Sequence, residues 1–542
     1  VNTAMKLAST AIWADGFYYV VRRTVEDGER KMAAFTSILG PGVGDMRNTS
    51  LPTPDFFADL HLDQIFAAVT AGYGDSDIAT TFYAPLRELP TVQYRQQVFC
   101  DLDDEQTRSS IQQFVDGARA MRRRLNVARS AWHRLQRQGW LIAAIESYCR
   151  AVGLLCDDLL HIRIRSLGLR NFGEHLAGYV NSETFTTLVA ETQTMRDQLR
   201  KVRYLVHIEG LRVRVEKFDE QMDYSSVVAE TFERFATEVS KDYRGALPEF
   251  NDMNHVEEQI LECVAKLHPE TFTLLDSYCR RHEHFIEPVI ARFEHEIHFY
   301  LSYLAFVDRL TAAGLRFCYP DLTDEPGAME VGDAFDLALA INTLQEQDHP
   351  VTNNFSLSGS ERIFVVTGPN QGGKTTFART IGQCAYLAAL GCPIPASRAR
   401  LTLPDQIFTH FERQEDLSTL HGKLDNELVR IHDILSRATD TSIVIMNESF
   451  SSTTVNDALL IGREVLGRII ALHCVAVYVS FLDELSALDP VCVSMVGEVA
   501  PDDPTQRTFK FSRRPADGLA YAAALADKYG LSYGALTRRI SR

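Results

Sequence analysis

The stretch Phe364-Val365-Val366-Thr367-Gly368-Pro369-Asn370-Gln371-Gly372-Gly373-Lys374-Thr375-Thr376 limits what this chain can fold into more than any other. The β-branched and aromatic run from Ile363 to Val366 predicts a buried strand that stops at Gly368, and a helical pattern begins at Lys374. Between them lies G-x-x-x-x-G-K-[ST], the spacing of a phosphate-cradling loop. Glycines permit the backbone angles that turn successive N–H groups inward, and the helix N-terminus adds partial positive charge. On this pattern Gly368, Pro369, Asn370, Gln371, Gly372 and Gly373 wrap phosphates, with Thr376 completing the set. Lys374 reaches the β- and γ-phosphates, and the Thr375 hydroxyl sits on Mg²⁺. A strand before and a helix after set this apart from a chance glycine-rich turn. A nucleoside triphosphate is the expected ligand.

At 542 residues the chain is long enough for three or four domains. Its net charge of −17 argues against a protein that coats nucleic acid throughout, so any basic surface must be sought by position. Ten cysteines occur singly with no C-x-x-C, which indicates neither a zinc site nor a disulfide framework. No apolar run approaches the roughly 18 residues of a membrane span, and no signal segment opens the sequence. A cytoplasmic protein without membrane contact is expected.

Residues 1–80 read as a small mixed α/β accessory region, with a strand at Phe17–Val21 and a helix capped by Asp55. Residues 81–330 are overwhelmingly helical in pattern. Glu105 to Gln138 predicts one long helix or two, with an arginine-rich solvated face; Asn181–Leu199 and Val227–Tyr243 predict two more. Between these last two, Val202 to Phe218 alternates apolar and polar residues around Glu209-Gly210, so a β-hairpin is expected at about 200–220. Its cations Arg203, Arg212, Arg214 and Lys217 suit contact with a nucleic-acid backbone. Charge that merely keeps an edge hairpin soluble explains the same residues, and both readings stay open. Residues 331–542 read as an α/β nucleotide domain. There Ser442 to Met446 predicts a second buried strand, ending in Asn447 at the metal side and Glu448 as candidate base.

The loop Thr367–Thr376, with Phe411–Leu428 and Thr441–Asp457, resembles the ATPase domain of the MutS family. The Pro and Asn inside the loop carry the likeness, and Asp416-Leu417 and Glu427 are similar to the family's signature loop. Pro85-Leu86-Arg87 resembles the opening of its helical core. His349–Asn354 resembles the segment lining the adenine pocket, which points to Val351 and Asn353. The resemblance implies a multidomain protein: a mainly α-helical core and lever with a small clamp-like hairpin, then a C-terminal α/β P-loop ATPase domain of the ABC type. It implies ATP and Mg²⁺ as cofactors, catalysis by Lys374 and Glu448, and a metal held by Thr375, Asn447 and Glu448. It also implies a homodimer in which Gly422 and Lys423 face the opposite subunit's nucleotide, and double-stranded or branched DNA as partner. Several positions depart from the family: Asn447 for Asp, Ser480-Phe481 for Thr-His, and Gly422-Lys423 near the signature Ser. These predict slow hydrolysis. No mismatch-reading domain of family size fits before Thr81, so a clamp without mismatch reading is expected. A P-loop kinase leaves the helical residues unexplained; a nucleotide-gated scaffold binding protein partners is the remaining alternative.

Overall fold

A computed structural model describes residues 35–41, 53–73, 78–218, 253–344, 348–412, 422–516 and 537. The chain forms two compact units, each assembled from separated stretches. The first takes Val1–Phe35, Asp104–Ile164 and Asn171–Ala291; the second takes Thr36–Asp103, Arg165–Arg170 and Arg292–Arg542. These limits do not coincide with boundaries at residues 80 and 330, because residues 36–103 pack with the phosphate-loop domain.

In the first unit the arginine-rich stretch is two helices, Glu105–Ser130 and Arg134–His161, separated by three residues at 131–133. Asp104 starts the former by accepting hydrogen bonds from the Thr107 N–H and hydroxyl, both at 2.9 Å. The two helices approach closely at Gly117, where a Cβ would meet the Ala151 Cβ at 2.7 Å. By length and composition alone Arg134–His161 is apolar enough to cross a membrane. Its Ile142, Ile145, Tyr148, Val152 and Leu155 are nonetheless buried in the helical unit. Helix Glu183–Arg200 begins at Ser182, whose hydroxyl accepts from the Phe185 N–H. Then come β1 (Tyr204–Glu209) and β2 (Arg212–Lys217), paired antiparallel. Helices His255–Leu267 and Pro269–Arg281 follow, the former opened by a reciprocal Asn254–Glu257 cap. The expected strand at Phe17–Val21 and helix at Val227–Tyr243 lie outside the described residues.

The strands of the second unit are β3 (Asp321–Thr323), β4 (Met329–Ala334), β5 (Asn353–Leu357), β6 (Ile363–Thr367), β7 (Arg398–Thr402), β8 (Ile407–Phe411), β9 (Ile443–Asn447), β10 (Val475–Val479), β11 (Cys492–Ala500) and β12 (Asp503–Arg513). A four-stranded sheet runs β3-β7-β4-β5, and a six-stranded sheet runs β12-β11-β6-β10-β9-β8. In the larger sheet β8, β9, β10, β6 and β11 are parallel, and β12 closes the edge antiparallel to β11. Every residue of β6, β9 and β10 is buried, which explains their unbroken apolar sequence: a parallel strand covered on both faces has no polar side. Crossover helices include Lys374–Ala389 and Val455–Leu472. The loops leaving β6, β9 and β10 therefore gather at the strands' carboxyl ends, where ligands of open α/β sheets bind.

Residues 36–103 close on the phosphate-loop helix. The buried Arg95 guanidinium donates to the carbonyls of Leu39 (3.1 Å) and Leu390 (3.0 Å) and lies over the Phe299 ring. Tyr386 donates to the Phe82 carbonyl at 2.7 Å, and Gln383 to that of Leu60 at 3.0 Å. Asp55 caps no helix through its side chain: its own φ of −57° and ψ of −31° are already helical, whereas a capping residue is extended. The helix it was expected to start is two pieces, Phe56–Leu60 and Leu62–Thr70, joined by His61 at φ 55°.

Candidate functional site

The loop between β6 and helix Lys374–Ala389 bends through Gly368 (φ 128°), Gln371 (φ 60°) and Gly373 (φ 87°). At Gly368 a Cβ would also meet the Gly497 nitrogen of β11 at 2.9 Å, so only glycine fits there. Lys374 is buried, and its ammonium donates to the Gly368 carbonyl (3.1 Å), the Pro369 carbonyl (3.4 Å) and Asn370 Oδ1 (3.2 Å). Glu448 Oε1 lies 3.8 Å away. Burial pulls the Lys374 pKa below its usual range, and the Glu448 carboxylate opposes that shift. The Thr375 hydroxyl donates to Asn447 Oδ1 at 3.0 Å. Lys374, Thr375, Asn447 and Glu448, separated by more than seventy positions in sequence, thus meet at the ends of β6 and β9. Thr376 follows in the first turn of the helix.

Glu448 and Phe450 both adopt positive φ, 53° and 66°, in the turn after β9. The Glu448 N–H donates to the Val479 carbonyl of β10 at 3.0 Å, leaving its side chain partly exposed beside Lys374. Ser480 donates its N–H to the Val366 carbonyl, and Phe481 beyond it is exposed.

Val351 is half-buried just before β5. Asn353 spends its amide on β12: Nδ2 donates to the Phe509 carbonyl (3.1 Å), and Oδ1 accepts from the Phe511 N–H (2.8 Å). It thereby braces β12 at Phe509 and Phe511. Phe509, at φ 58° and partly exposed, would touch a Cβ on Gly373 at 3.3 Å, and Phe511 stacks on Phe377. Sequence reasoning missed Phe509, since nothing in its spacing ties it to a loop more than a hundred residues earlier. Gly422 is extended and precedes helix Lys423–Arg437. Asp416-Leu417 lies outside the described residues.

The hairpin register separates its cations. Glu209 faces Arg212, His207 faces Arg214 and Leu205 faces Glu216 on one side; Ile208–Val213, Val206–Val215 and Tyr204–Lys217 form the other. Arg212 and Arg214 therefore share their side with two carboxylates. Glu216 lies 3.7 Å from Arg214 and 3.9 Å from His207. Lys217 is on the opposite side, and Arg203 stacks against Phe218 before β1 begins. The four cations do not form one patch. The turn itself is aliphatic, with Ile208, Leu211 and Val213 exposed.

Residues 364–530 match the family model described as MutS domain V. Over 200 residues, 35% of this chain, it is 32% identical to the DNA mismatch repair protein MutS of Erythrobacter litoralis (strain HTCC2594), covering 22% of that protein. Over 150 residues, 27% of the chain, it is 31% identical to the DNA mismatch repair protein MutS of Psychrobacter cryohalolentis, covering 14% of it. The DNA mismatch repair protein MSH3 of Yarrowia lipolytica is 24% identical over 315 residues, 55% of this chain and 30% of that protein. The matched stretches thus span less than a third of each relative's length. The domain match runs from Phe364 of β6 through its loop, β9 and β10, whose ends carry the cluster just described, and it is over this stretch that the chain is similar to the MutS family.

Proposed function

We propose that this chain is an ATP-hydrolysing MutS-type clamp that binds DNA as a nucleotide-dependent homodimer. The convergence of Lys374, Thr375, Asn447 and Glu448 on one loop carries the reading. In it Lys374 exchanges its carbonyl partners for the β- and γ-phosphates, loop N–H groups and the helix N-terminus hold the triphosphate, and Glu448 accepts the proton of attacking water. Phe509, with Val351 nearby in sequence to the Asn353 brace, walls the base side.

Among the described residues no group of three or more His, Cys, Asp or Glu converges on a metal position. Mg²⁺ needs no such group, since it is held by one or two protein oxygens with phosphates and water supplying the rest. The Thr375 hydroxyl and the Asn447 amide oxygen suit that role; when bound, the ion neutralises charge on the phosphates. A neutral amide in place of a carboxylate weakens that hold, so slow turnover is part of the proposal.

In the dimer Gly422 and Lys423 would approach the nucleotide of the opposite subunit. Arg203, Arg212, Arg214 and Lys217 would meet DNA phosphates, which position a protein without specifying sequence. Hence matched and mismatched duplexes should bind alike, with any preference going to branched DNA. Phosphate release by the wild type and Glu448→Gln, sedimentation of Glu448→Gln with and without ATP, and titration of matched, mismatched and four-way-junction DNA at two salt concentrations test the parts separately. Phosphate release by Glu448→Gln at the wild-type rate would refute the enzymatic assignment. A monomer mass unchanged by ATP would refute the dimer, and salt-insensitive or strongly mismatch-selective binding the clamp.

A further inference from the structure

The turn after β9 holds the general-base candidate in a backbone conformation that needs external support. Glu448 and Phe450 are both L-residues at positive φ, and no glycine relieves Glu448-Ser449-Phe450-Ser451-Ser452. Three bonds to separate stretches of the chain hold the turn. Glu448 is tied by its N–H to the Val479 carbonyl, and the Ser451 hydroxyl donates to Glu412 Oε1 at 2.9 Å. Between them the Phe450 N–H donates to Glu427 Oε2 at 3.1 Å, across 23 positions. Glu427 is 6% exposed and comes from helix Lys423–Arg437; the Phe450 ring is fully buried in the same core as Ile431 of that helix.

We infer that Glu427 is a positioning residue for Glu448: its buried carboxylate fixes the Phe450 peptide and so sets where the Glu448 side chain stands relative to Lys374 and Asn447. A carboxylate rarely stays buried at this depth without a polar partner, and a backbone N–H at the middle of a strained turn is one that an apolar residue at 427 would leave unsatisfied. The same bond joins the helix that starts at Gly422 to the turn bearing the base, so a displacement of that helix reaches Glu448 without passing through the phosphate loop. The inference rests on Glu448 acting in hydrolysis.

Three full-length proteins test it: wild type, Glu427→Gln, which keeps an accepting oxygen, and Glu427→Leu, which removes it. Hydrogen exchange at the Phe450 amide should be fast in Glu427→Leu and wild-type-like in Glu427→Gln, whether or not the protein turns over ATP. In Glu427→Leu kcat should fall about tenfold to a hundredfold, the range expected for losing a hydrogen bond to a charged group, while affinity for a fluorescent ATP analogue changes less than about threefold. Glu427→Gln should keep most of kcat. Unchanged exchange at Phe450 would overturn the inference, as would parallel losses of kcat and affinity, or a Gln variant as slow as the Leu variant. A wild type that releases no phosphate while its exchange pattern follows the expectation would instead overturn the hydrolytic role of Glu448.

Discussion

The phosphate loop and the β1–β2 hairpin both present cations, yet they organise them in opposite ways. At the loop one buried ammonium is fixed by three oxygen acceptors, and glycine-permitted turns aim the backbone at the same point. On the hairpin four cations are spread over two faces and a flanking position, and two of them share their face with carboxylates. The first arrangement is desolvated and prepared for a multiply charged ligand. The second is hydrated, so each cation contributes little until a polyanion displaces its neighbours. Focused charge selects a ligand; divided charge tunes how strongly and how salt-dependently a surface is held.

Four substitutions would break or sharpen this contrast. The largest effect is expected from Glu448→Gln, which preserves shape and removes the base: turnover should fall by about 10²- to 10⁴-fold with nucleotide affinity retained, measured by steady-state phosphate release. Wild-type rates would show that the base lies elsewhere. Next, Lys374→Ala should weaken binding of a fluorescent ATP analogue by about a hundredfold, since it deletes the loop's charged donor. Unchanged affinity would remove the central assignment. A smaller loss is expected from Gly373→Ala. Alanine at φ 87° is strained and its Cβ crowds Phe509 at 3.3 Å, so urea unfolding should report a loss of about 1–2 kcal/mol. Stability equal to wild type would mean the loop relaxes freely. The smallest effect concerns the hairpin: Glu216→Gln frees Arg214 and His207 from a shared carboxylate and should tighten duplex binding about two- to fivefold at low salt, consistent with an exposed pair's worth of under about 1 kcal/mol. Tightening that persists at high salt would mean the divided-charge account is wrong.

What the sequence reveals follows the same division. The phosphate loop is legible because its chemistry is local: the glycines, Lys374 and Thr375 act through backbone geometry within a dozen residues. Strands β6 and β9 are legible because burial on both faces demands an unbroken apolar run. The Asn353 brace on Phe509 and Phe511 is not, since its partners lie 156 and 158 residues apart and neither end has a diagnostic spacing. Glu427 could be read as part of a family pattern, but its hydrogen bond to the Phe450 peptide could not. The hairpin is a different case. Alternation located it, and the two-residue period already puts Arg212 and Arg214 on one face and Lys217 on the other once the turn is centred at Gly210-Leu211. The boundary at residue 80 differs from the limits of the compact units, since Arg95 binds the Leu39 carbonyl and Gln383 that of Leu60, and a carbonyl acceptor leaves no mark on the side-chain sequence.

The bond from Arg95 to the Leu390 carbonyl spans 295 positions, and it has a consequence for how the protein comes into being. Ribosomes elongate at about 5–20 residues per second, so residues 36–103 wait roughly fifteen seconds to a minute before the helix they close upon has been made. Phe57 and Phe66 lack Tyr386 until near the end of that interval, and Phe82 and Phe99 lack Phe299 and Tyr300 for most of it, although all four are buried in the finished unit. The nascent chain therefore carries an aromatic surface that must be shielded or kept from other chains until late in synthesis. Expression starting at residue 331 would create the converse problem, a nucleotide domain made without the layer that covers its central helix.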